Sequence, residues 1–246
     1  MAAESGQLRR SDSLSKATAA STSASQAGSK PVTQPASDPG DPVVYNGREG
    51  KVDVTIPRID SAVTVDGSLS EPVWREASLL TGFSQFQPTD QRAATDSTEV
   101  LVWYSPTAIH FGVRAFAPPG ATNARLSDRD KISGDDYVEI ILSTFNDGRQ
   151  AFVFGVNALG VQADGTLNEL QSAGGSATGG TAARVTTDLS ANFVYESKGR
   201  VTDYGYEVEV RIPFKSLRYQ AADVQNWGLQ IVRRVQHLGH EDTWTP

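Results

Sequence analysis

At 246 residues the chain is long enough to enclose a sizeable core. Its lack of cysteine rules out disulfides, thiolate catalysis and thiolate-bound metals. A formal net charge of −7 speaks against nucleic acid, whose phosphates call for a basic surface.

Residues 1–50 are rich in Ser, Ala, Thr, Gln, Pro and Gly, and Tyr45 is their only aromatic side chain. They cannot bury enough apolar area to offset the entropy of ordering, so a disordered tail is expected there. This segment carries equal numbers of basic and acidic residues, which leaves the whole net charge on residues 51–246. The opening MAAESGQLRRSDSLSKATAAS lacks the uninterrupted apolar core of a secretion signal, and no run of eighteen apolar residues follows that would cross a bilayer as a helix. If the protein is exported, the signal is expected outside this sequence.

From residue 52 the pattern becomes strand-like. Val52, Val54 and Ile56 alternate up to Pro57, and residues 59–65 continue in the same manner. Asp66-Gly67 then reads as a turn and Ser70 as a cap for one or two helical turns starting at Pro72, with Val73, Trp74 and Ala77 on one face. Apolar neighbours at helical spacing make Trp74 a core plug. Val100, Val102 and Tyr104 alternate against Glu99, Leu101 and Trp103. Ser105-Pro106-Thr107 turns that run into Ile109, Phe111, Val113 and Ala115, a first hairpin. Trp103 shares a face with Leu101, which makes packing its simpler role.

A second hairpin organises the chain. DDYVEIILSTFNDGRQAFVFGVNALGVQADG, residues 135–165, holds two alternating apolar runs hinged on Asn146-Asp147-Gly148. Asp-Gly between such runs is a strong hairpin signal, because glycine takes the positive φ that folds two right-twisted strands back. A three-residue loop pairs Val138 with Val156, Ile140 with Phe154 and Leu142 with Phe152, and only this register unites all six apolar groups on one face. The other face then carries Glu139 beside Gly155 and Tyr137 beside Asn157. Glu139 and Asn157 there meet either solvent or a ligand.

Beyond it, residues 173–180, AGGSATGG, read as a mobile loop. Phe193 to Glu196 is strand-like, and Asp203-Tyr204-Gly205 is a turn. Tyr206, Val208, Val210 and Ile212 against Glu207, Glu209 and Arg211 form the cleanest amphipathic strand. Pro213 ends it, residues 215–219 suit a helical turn, and Trp227, Leu229 and Ile231 begin a last strand through Arg234. About eight or nine short strands with short helical turns and no long helical period predict an all-β fold, an antiparallel β-sandwich or jelly roll.

Three phrases in this order, VDGSLSEPVW, GDDYVEIIL and GYEVEVRIPFKSLRY followed by NWGLQIVRR, resemble the family 9 carbohydrate-binding module over residues 52–246. The longer phrases LSTFNDGRQAFVFGVNALGVQADG and NFVYESKGRVTDYGYEVEVRIPFKSLRY resemble the version that precedes a bacterial domain of unknown function thought to form an outer-membrane β-barrel. The resemblance implies a β-sandwich, export, a downstream β-barrel as partner, and a sequence that stops short, since TWTP reads as the start of a further segment. In the xylanase-associated modules a sugar lies between two Trp rings while a carboxylate and an arginine on adjacent strands take its hydroxyls. The carboxylate matches Glu139. Gly155 stands at the arginine's place, Ser133 at that of the first Trp, and Trp244 is the candidate for the second, so at least half of the clamp is missing. Loss of aromatic stacking removes the main apolar contribution to holding a neutral sugar.

Related modules bind calcium, and Asp128, Asp130, Asp135 and Asp136 are the carboxylates placed to do so, with Asp135 and Asp136 the candidate ligands. No D-x-D-x-D-G loop with a closing Glu supports them, and a solvated turn explains them as well. His237 and His240 have a spacing that permits metal binding, which a frayed terminus explains equally. His110 stands alone and supports no triad. Nothing separates Glu139, Glu207 and Glu209 into acid and base, so no hydrolase is read here, and haem lacks an axial pair. Three functions stay open: a non-catalytic, extracytoplasmic module binding an oligo- or polysaccharide through Glu139 and Asn157; a structural domain packing on a downstream barrel; and an accessory module of a polysaccharide hydrolase.

Overall fold

The computed structural model describes residues 42–168 and 187–245. The glycine-rich stretch 173–180, and the expected tail before residue 42, lie outside them. In chain order the strands are β1 (Val44–Asn46), β2 (Ser78–Thr81), β3 (Ser84–Gln87), β4 (Arg92–Ala93), β5 (Thr98–Tyr104), β6 (Ala108–Phe116), β7 (Tyr137–Ser143), β8 (Gln150–Asn157), β9 (Gln162–Asn168), β10 (Glu196–Thr202), β11 (Gly205–Pro213), β12 (Gly228–Val235) and β13 (His240–Thr243). They form a six-stranded sheet, β1-β2-β5-β6-β11-β10, and a seven-stranded sheet, β4-β3-β13-β12-β7-β8-β9. All pairs are antiparallel except β1 with β2. This is the expected β-sandwich with more strands. The additional ones, β1 to β4 and β13, have only two to four residues, too few for alternation to show.

The core lies between the sheets. From the six-stranded side come Val100, Val102, Phe111, Val113, Tyr206, Val208 and Ile212, and from the other Val138, Ile140, Leu142, Phe154, Val156 and Ile231, all buried in one cluster. The β7–β8 register is the expected one: Val138 faces Val156, Ile140 faces Phe154, Leu142 faces Phe152, and Glu139 stands opposite Gly155. The connection is wider than three residues, since β7 ends at Ser143 and β8 begins at Gln150. Local bonds hold it open. The Ser143 hydroxyl donates to the Gln150 carbonyl at 3.0 Å, and the Arg149 amide to Asp147 Oδ1 at 3.0 Å. Gly148 has the expected positive φ, 69°.

Four local expectations are corrected. Residues 52–56 and 59–65 join neither sheet as strands; Arg58 makes one isolated bridge to Tyr104, while Val54, Ile56, Ile59 and Val63 still pack inward. The helical turn is a single 3-10 turn, Pro72–Arg75, which starts after Glu71 with no side-chain cap, so Ser70 is not its cap. Phe193 to Tyr195 lie outside the ladder, which starts at Glu196: side chains take their backbone groups instead, with the Phe193 amide donating to Asp164, its carbonyl accepting from Arg129 and the Val194 carbonyl accepting from Ser216. Finally, β1 falls within the segment expected as tail: Tyr45 is buried in the core, so the sheet begins ahead of the change in composition.

Residues 52–77 cover the outer face of the six-stranded sheet. Leu69, Val73, Trp74 and Ala77 pack on Leu101 and Trp103 in a second apolar cluster, with the Trp74 and Trp103 rings edge to face at 6.0 Å. This cover encloses β11 on both sides, so Glu207 and Glu209, outward on an amphipathic strand, are buried.

His110 lies under the same cover, stacked on Trp103 at 3.9 Å with its Nε2 3.3 Å from Ser105 Oγ. Burial, with Arg211 nearby, pulls its pKa from 6.5 down to about 4. The unfolded chain therefore takes up this proton first, and stability from His110 is lost as pH falls from 6.5 through 4. Asp242 works the other way: burial pushes it up from 3.8 to about 6, so its contribution is lost as pH rises through that range. Comparing His110→Phe with the wild type isolates the histidine. By urea unfolding, the variant should gain on the order of 3 kcal/mol relative to wild type between pH 7 and pH 4. A pH-independent difference would contradict this.

Candidate functional site

The outer face of the seven-stranded sheet is set by the inner one. Because Val138, Ile140 and Leu142 point inward, Tyr137, Glu139 and Ile141 point out. The same rule acts on β12, where Leu229, Ile231 and Arg233 share the inner rows with Leu142, Ile140 and Val138, which leaves Gln230, Val232 and Arg234 on the outer face. Val232 is the cross-strand neighbour of Glu139, and Arg234 that of Tyr137. Arg234 is thus the diagonal neighbour of Glu139, a relation that spans roughly 7–8 Å between backbones, within reach of long side chains. On its other side Arg234 pairs with Glu241, which pairs in turn with Gln87 of β3.

A carboxylate, a phenol and a guanidinium therefore share one half-buried patch of sheet. One oxygen of Glu139, Oε2, is withdrawn from solvent. Such a set accepts and donates hydrogen bonds to vicinal hydroxyls and offers one aromatic ring, Tyr137, for an apolar contact. In the sequence Arg234 marks only the end of a strand. The available signal was alternation: once Leu229 and Ile231 are inward, Arg234 must be outward.

The other residues singled out in the sequence sit differently. Asn157 is 0 % exposed, and its amide donates to the Arg125 carbonyl and to Asp135 Oδ2, both at 2.9 Å. Its carbonyl oxygen accepts from the amides of Leu159 at 3.0 Å and Val161 at 2.9 Å. These bonds fasten the β8–β9 connection to the loop ahead of β7, so Asn157 shapes the site from below. Asp135 also takes Arg125 Nε at 3.2 Å, and Asp136 takes the amides of Asn123 at 2.6 Å and Gln236 at 2.9 Å. Both carboxylates are turned toward protein donors. Asp128 pairs with Lys131 at 2.8 Å, and Asp130 accepts from the Asp164 amide at 3.1 Å.

Trp244 is 1 % exposed, part of the main core, with its indole N–H on the Thr81 carbonyl at 3.1 Å. Of the four tryptophans, Trp74 and Trp103 are likewise buried, and Trp227 packs with Phe214 and Tyr219. Gly155, where the resemblance places an arginine, lies beneath Ile132: a Cβ there would come within 3.2 Å of the Ile132 side chain and 3.0 Å of the Ala163 carbonyl. An apolar cover thus replaces the arginine of β8, and the guanidinium on this face comes from β12. His237 pairs with Asp96 at 3.2 Å. Among the described residues, the one group of three metal-ligating side chains within 4.8 Å of one another is Asp66, Glu71 and Glu209, on the opposite sheet.

No protein-family model matches the chain, and no curated protein matches it. Solved structures do. One is a protein from Bacteroides uniformis named as a candidate carbohydrate-binding protein, at a TM-score of 0.54 and 12% identity, over 78% of this chain and 89% of that one. Another is a carbohydrate-binding module of family 9 from Caldicellulosiruptor kristjanssonii in complex with cellotriose, at a TM-score of 0.50 and 15% identity, over 77% of this chain and 82% of that one. The chain has the β-sandwich fold of the family 9 carbohydrate-binding modules.

Removing the Asn157 amide strands two donors and two acceptors in a buried place. Asn157→Ala should lower stability by roughly 2–4 kcal/mol in urea unfolding. A loss below about 1 kcal/mol would show that the loop does not depend on it.

Proposed function

We propose that this chain is a non-catalytic carbohydrate-binding module that holds an oligo- or polysaccharide on the outer face of its seven-stranded sheet, with Glu139 accepting hydroxyl hydrogen bonds, Arg234 donating and Tyr137 contributing an apolar face. The observation that carries the reading is the outward carboxylate at Glu139, in the expected register, within the fold of family 9 modules. The similar module from Caldicellulosiruptor kristjanssonii is in complex with cellotriose, which supports a β-linked glucan as the first probe. Asn157 acts as a positioning residue, and no tryptophan takes part. Without a pair of rings to stack on, binding is weak and rests on hydrogen bonds.

The sequence motifs support two further parts of the proposal: export to an extracytoplasmic, outer-membrane-associated location, and a place ahead of a β-barrel in a longer protein engaged in carbohydrate use. A second reading, a domain that packs on that barrel without binding sugar, is favoured by Ile132 over Gly155 and by the burial of Trp244.

A glycan array followed by calorimetry decides between them. The first reading predicts measurable binding to a subset of neutral glycans, weakened about tenfold or more by Glu139→Ala and by Arg234→Ala, as expected for loss of a charged hydrogen-bonding partner. Absence of binding in the wild type, or equal binding in both variants, would contradict it.

A further inference from the structure

An aspartate or asparagine followed by glycine occurs four times in the chain: Asn46-Gly47, Asp66-Gly67, Asp147-Gly148 and Asp164-Gly165. Such a pair can react within itself. Glycine has no Cβ to shield its backbone nitrogen, so that nitrogen can close on the side-chain carbonyl carbon of the residue before it. Closure needs a side chain folded toward the glycine, a glycine N–H not committed to an acceptor, and room for the ring that forms. The fold grades the four pairs on these conditions.

Asp147-Gly148 meets all of them. Both residues are exposed in the connection between β7 and β8. Asp147 Oδ1 accepts the Arg149 amide at 3.0 Å, which holds the carboxyl over the Gly148 peptide in an Asx turn. The Asn146 amide is taken by the Ser143 carbonyl at 3.2 Å, whereas the Gly148 N–H donates to no described residue. A Cβ placed on Gly148 would meet nothing within 4 Å.

Asp66-Gly67 is the internal control, because its local turn is the same: Asp66 Oδ1 accepts the Ser68 amide at 2.8 Å. There, however, the Gly67 N–H is held by the buried Glu209 Oε2 at 2.7 Å, and a Cβ on Gly67 would come within 3.3 Å of the Gly199 backbone. Asp164 is buried, its carboxyl held by Arg129 Nε at 2.7 Å and by the Phe193 amide, and Gly165 is paired with Val153 in the ladder. The Asn46 side chain is bonded to the Arg48 amide at 3.1 Å and to Glu49 at 3.0 Å. Gly47 beside it is buried, with the Trp244 carbonyl where a Cβ would stand.

We propose that Asp147-Gly148 is a site of spontaneous covalent modification, the one pair of the four that converts to isoaspartate while the chain stays folded. The Gly148 nitrogen gives up its proton and bonds to Cγ of the Asp147 carboxyl, the carbon–hydroxyl bond breaks, and one water leaves to give a succinimide. Water then adds to either ring carbonyl. Cleavage of the bond to Cγ restores aspartate. Cleavage of the bond to the main-chain carbonyl carbon gives isoaspartate, in which the chain runs through the side-chain carboxyl and the α-carboxylate hangs free. Mass and charge are unchanged, and water is the only co-reactant. Isoaspartate adds one methylene to the main chain. The Ser143 hydroxyl, bonded to the Gln150 carbonyl at 3.0 Å, closes the loop ahead of the ladder at Leu142 and Phe152, so the register survives and the product accumulates in folded protein. None of this depends on the sugar reading.

The test is peptide mapping of the whole chain after incubation at neutral pH and physiological temperature, with isoaspartyl residues marked by enzymatic methyl transfer to their free α-carboxylate. Label should rise with time in the peptide holding residue 147. It should be roughly tenfold or more lower at residues 46, 66 and 164, where reaction waits on local opening. In urea all four peptides should label. Asp147→Asn, which loses ammonia in place of water, should label faster at this position, and Asp147→Glu, whose ring would be one atom larger, should not label there. Overturning results are no label at residue 147 in folded protein over a time in which the urea-unfolded chain acquires it, equal or greater label at any of the other three pairs in folded protein, or undiminished label in Asp147→Glu.

Discussion

The register of β7 against β8 is the constraint on which the rest depends. Val138, Ile140 and Leu142 and their partners Val156, Phe154 and Phe152 line one face. A shift of one residue would turn all three β7 side chains to the outer surface and carry Glu139 into the core. Each buried apolar side chain contributes about 1.5–3 kcal/mol, so the slip would cost on the order of a whole domain's net stability. That penalty is by itself enough to fix Glu139 outward. The same ladder passes the constraint to β12, where Ile231 opposite Ile140 and Val232 opposite Glu139 leave Arg234 no inner position. The charged patch is thus a geometric consequence of the apolar core.

Buried charge is used elsewhere for fastening. Arg233 is 0 % exposed between the sheets, where its guanidinium donates to the carbonyls of Ser97 at 2.8 Å and Phe116 at 2.6 Å and to Thr98 Oγ1 at 3.0 Å, over the ring of Tyr206. It joins β12 of one sheet to the ends of β5 and β6 of the other. Its cross-strand neighbour Asp242 is also buried. Burial raises the Asp242 pKa to about 6 although Arg233 and His240 pull it down. Polar groups are therefore distributed unevenly over the fold. Arg233 between the sheets is bonded to backbone carbonyls, under the cover Glu207 pairs with Arg200 and Arg114 while Glu209 accepts two backbone amides, and the half-buried set around Glu139 faces outward from the sheet.

The legible parts of the fold were those with long alternation. The hairpins β5–β6 and β7–β8 and the strand β11 each run seven residues or more, enough for period two to stand out. Tyr45 was not recognisable as a core residue because β1 has three residues and lies in a stretch of tail-like composition. Residues 52–65 read as strands because a cover that packs apolar side chains inward looks locally like one. What decides the matter is the long-range ladder, which they do not join. The same cover explains why Glu209 read as solvent-facing: alternation places a residue on a face of a sheet but does not say what lies over that face. Asn157 has the mirror-image history. It stands opposite Tyr137 as alternation predicts, and the loop that saturates its amide comes from residues far from it in sequence. Trp244 followed the motif order into a candidate clamp, whereas its place next to β13 puts its ring in the core.

The claim at the centre is that the outer face of β7 and β12 is the sugar-contacting surface. Titrating cellotriose and a panel of neutral oligosaccharides into isotope-labelled protein, and following backbone amides by NMR, tests it directly. The account predicts shifts concentrated at Tyr137, Glu139, Val232 and Arg234, with the cover at residues 69–77 on the opposite sheet silent. Shifts confined to other surfaces, or none with any sugar tried, would contradict it.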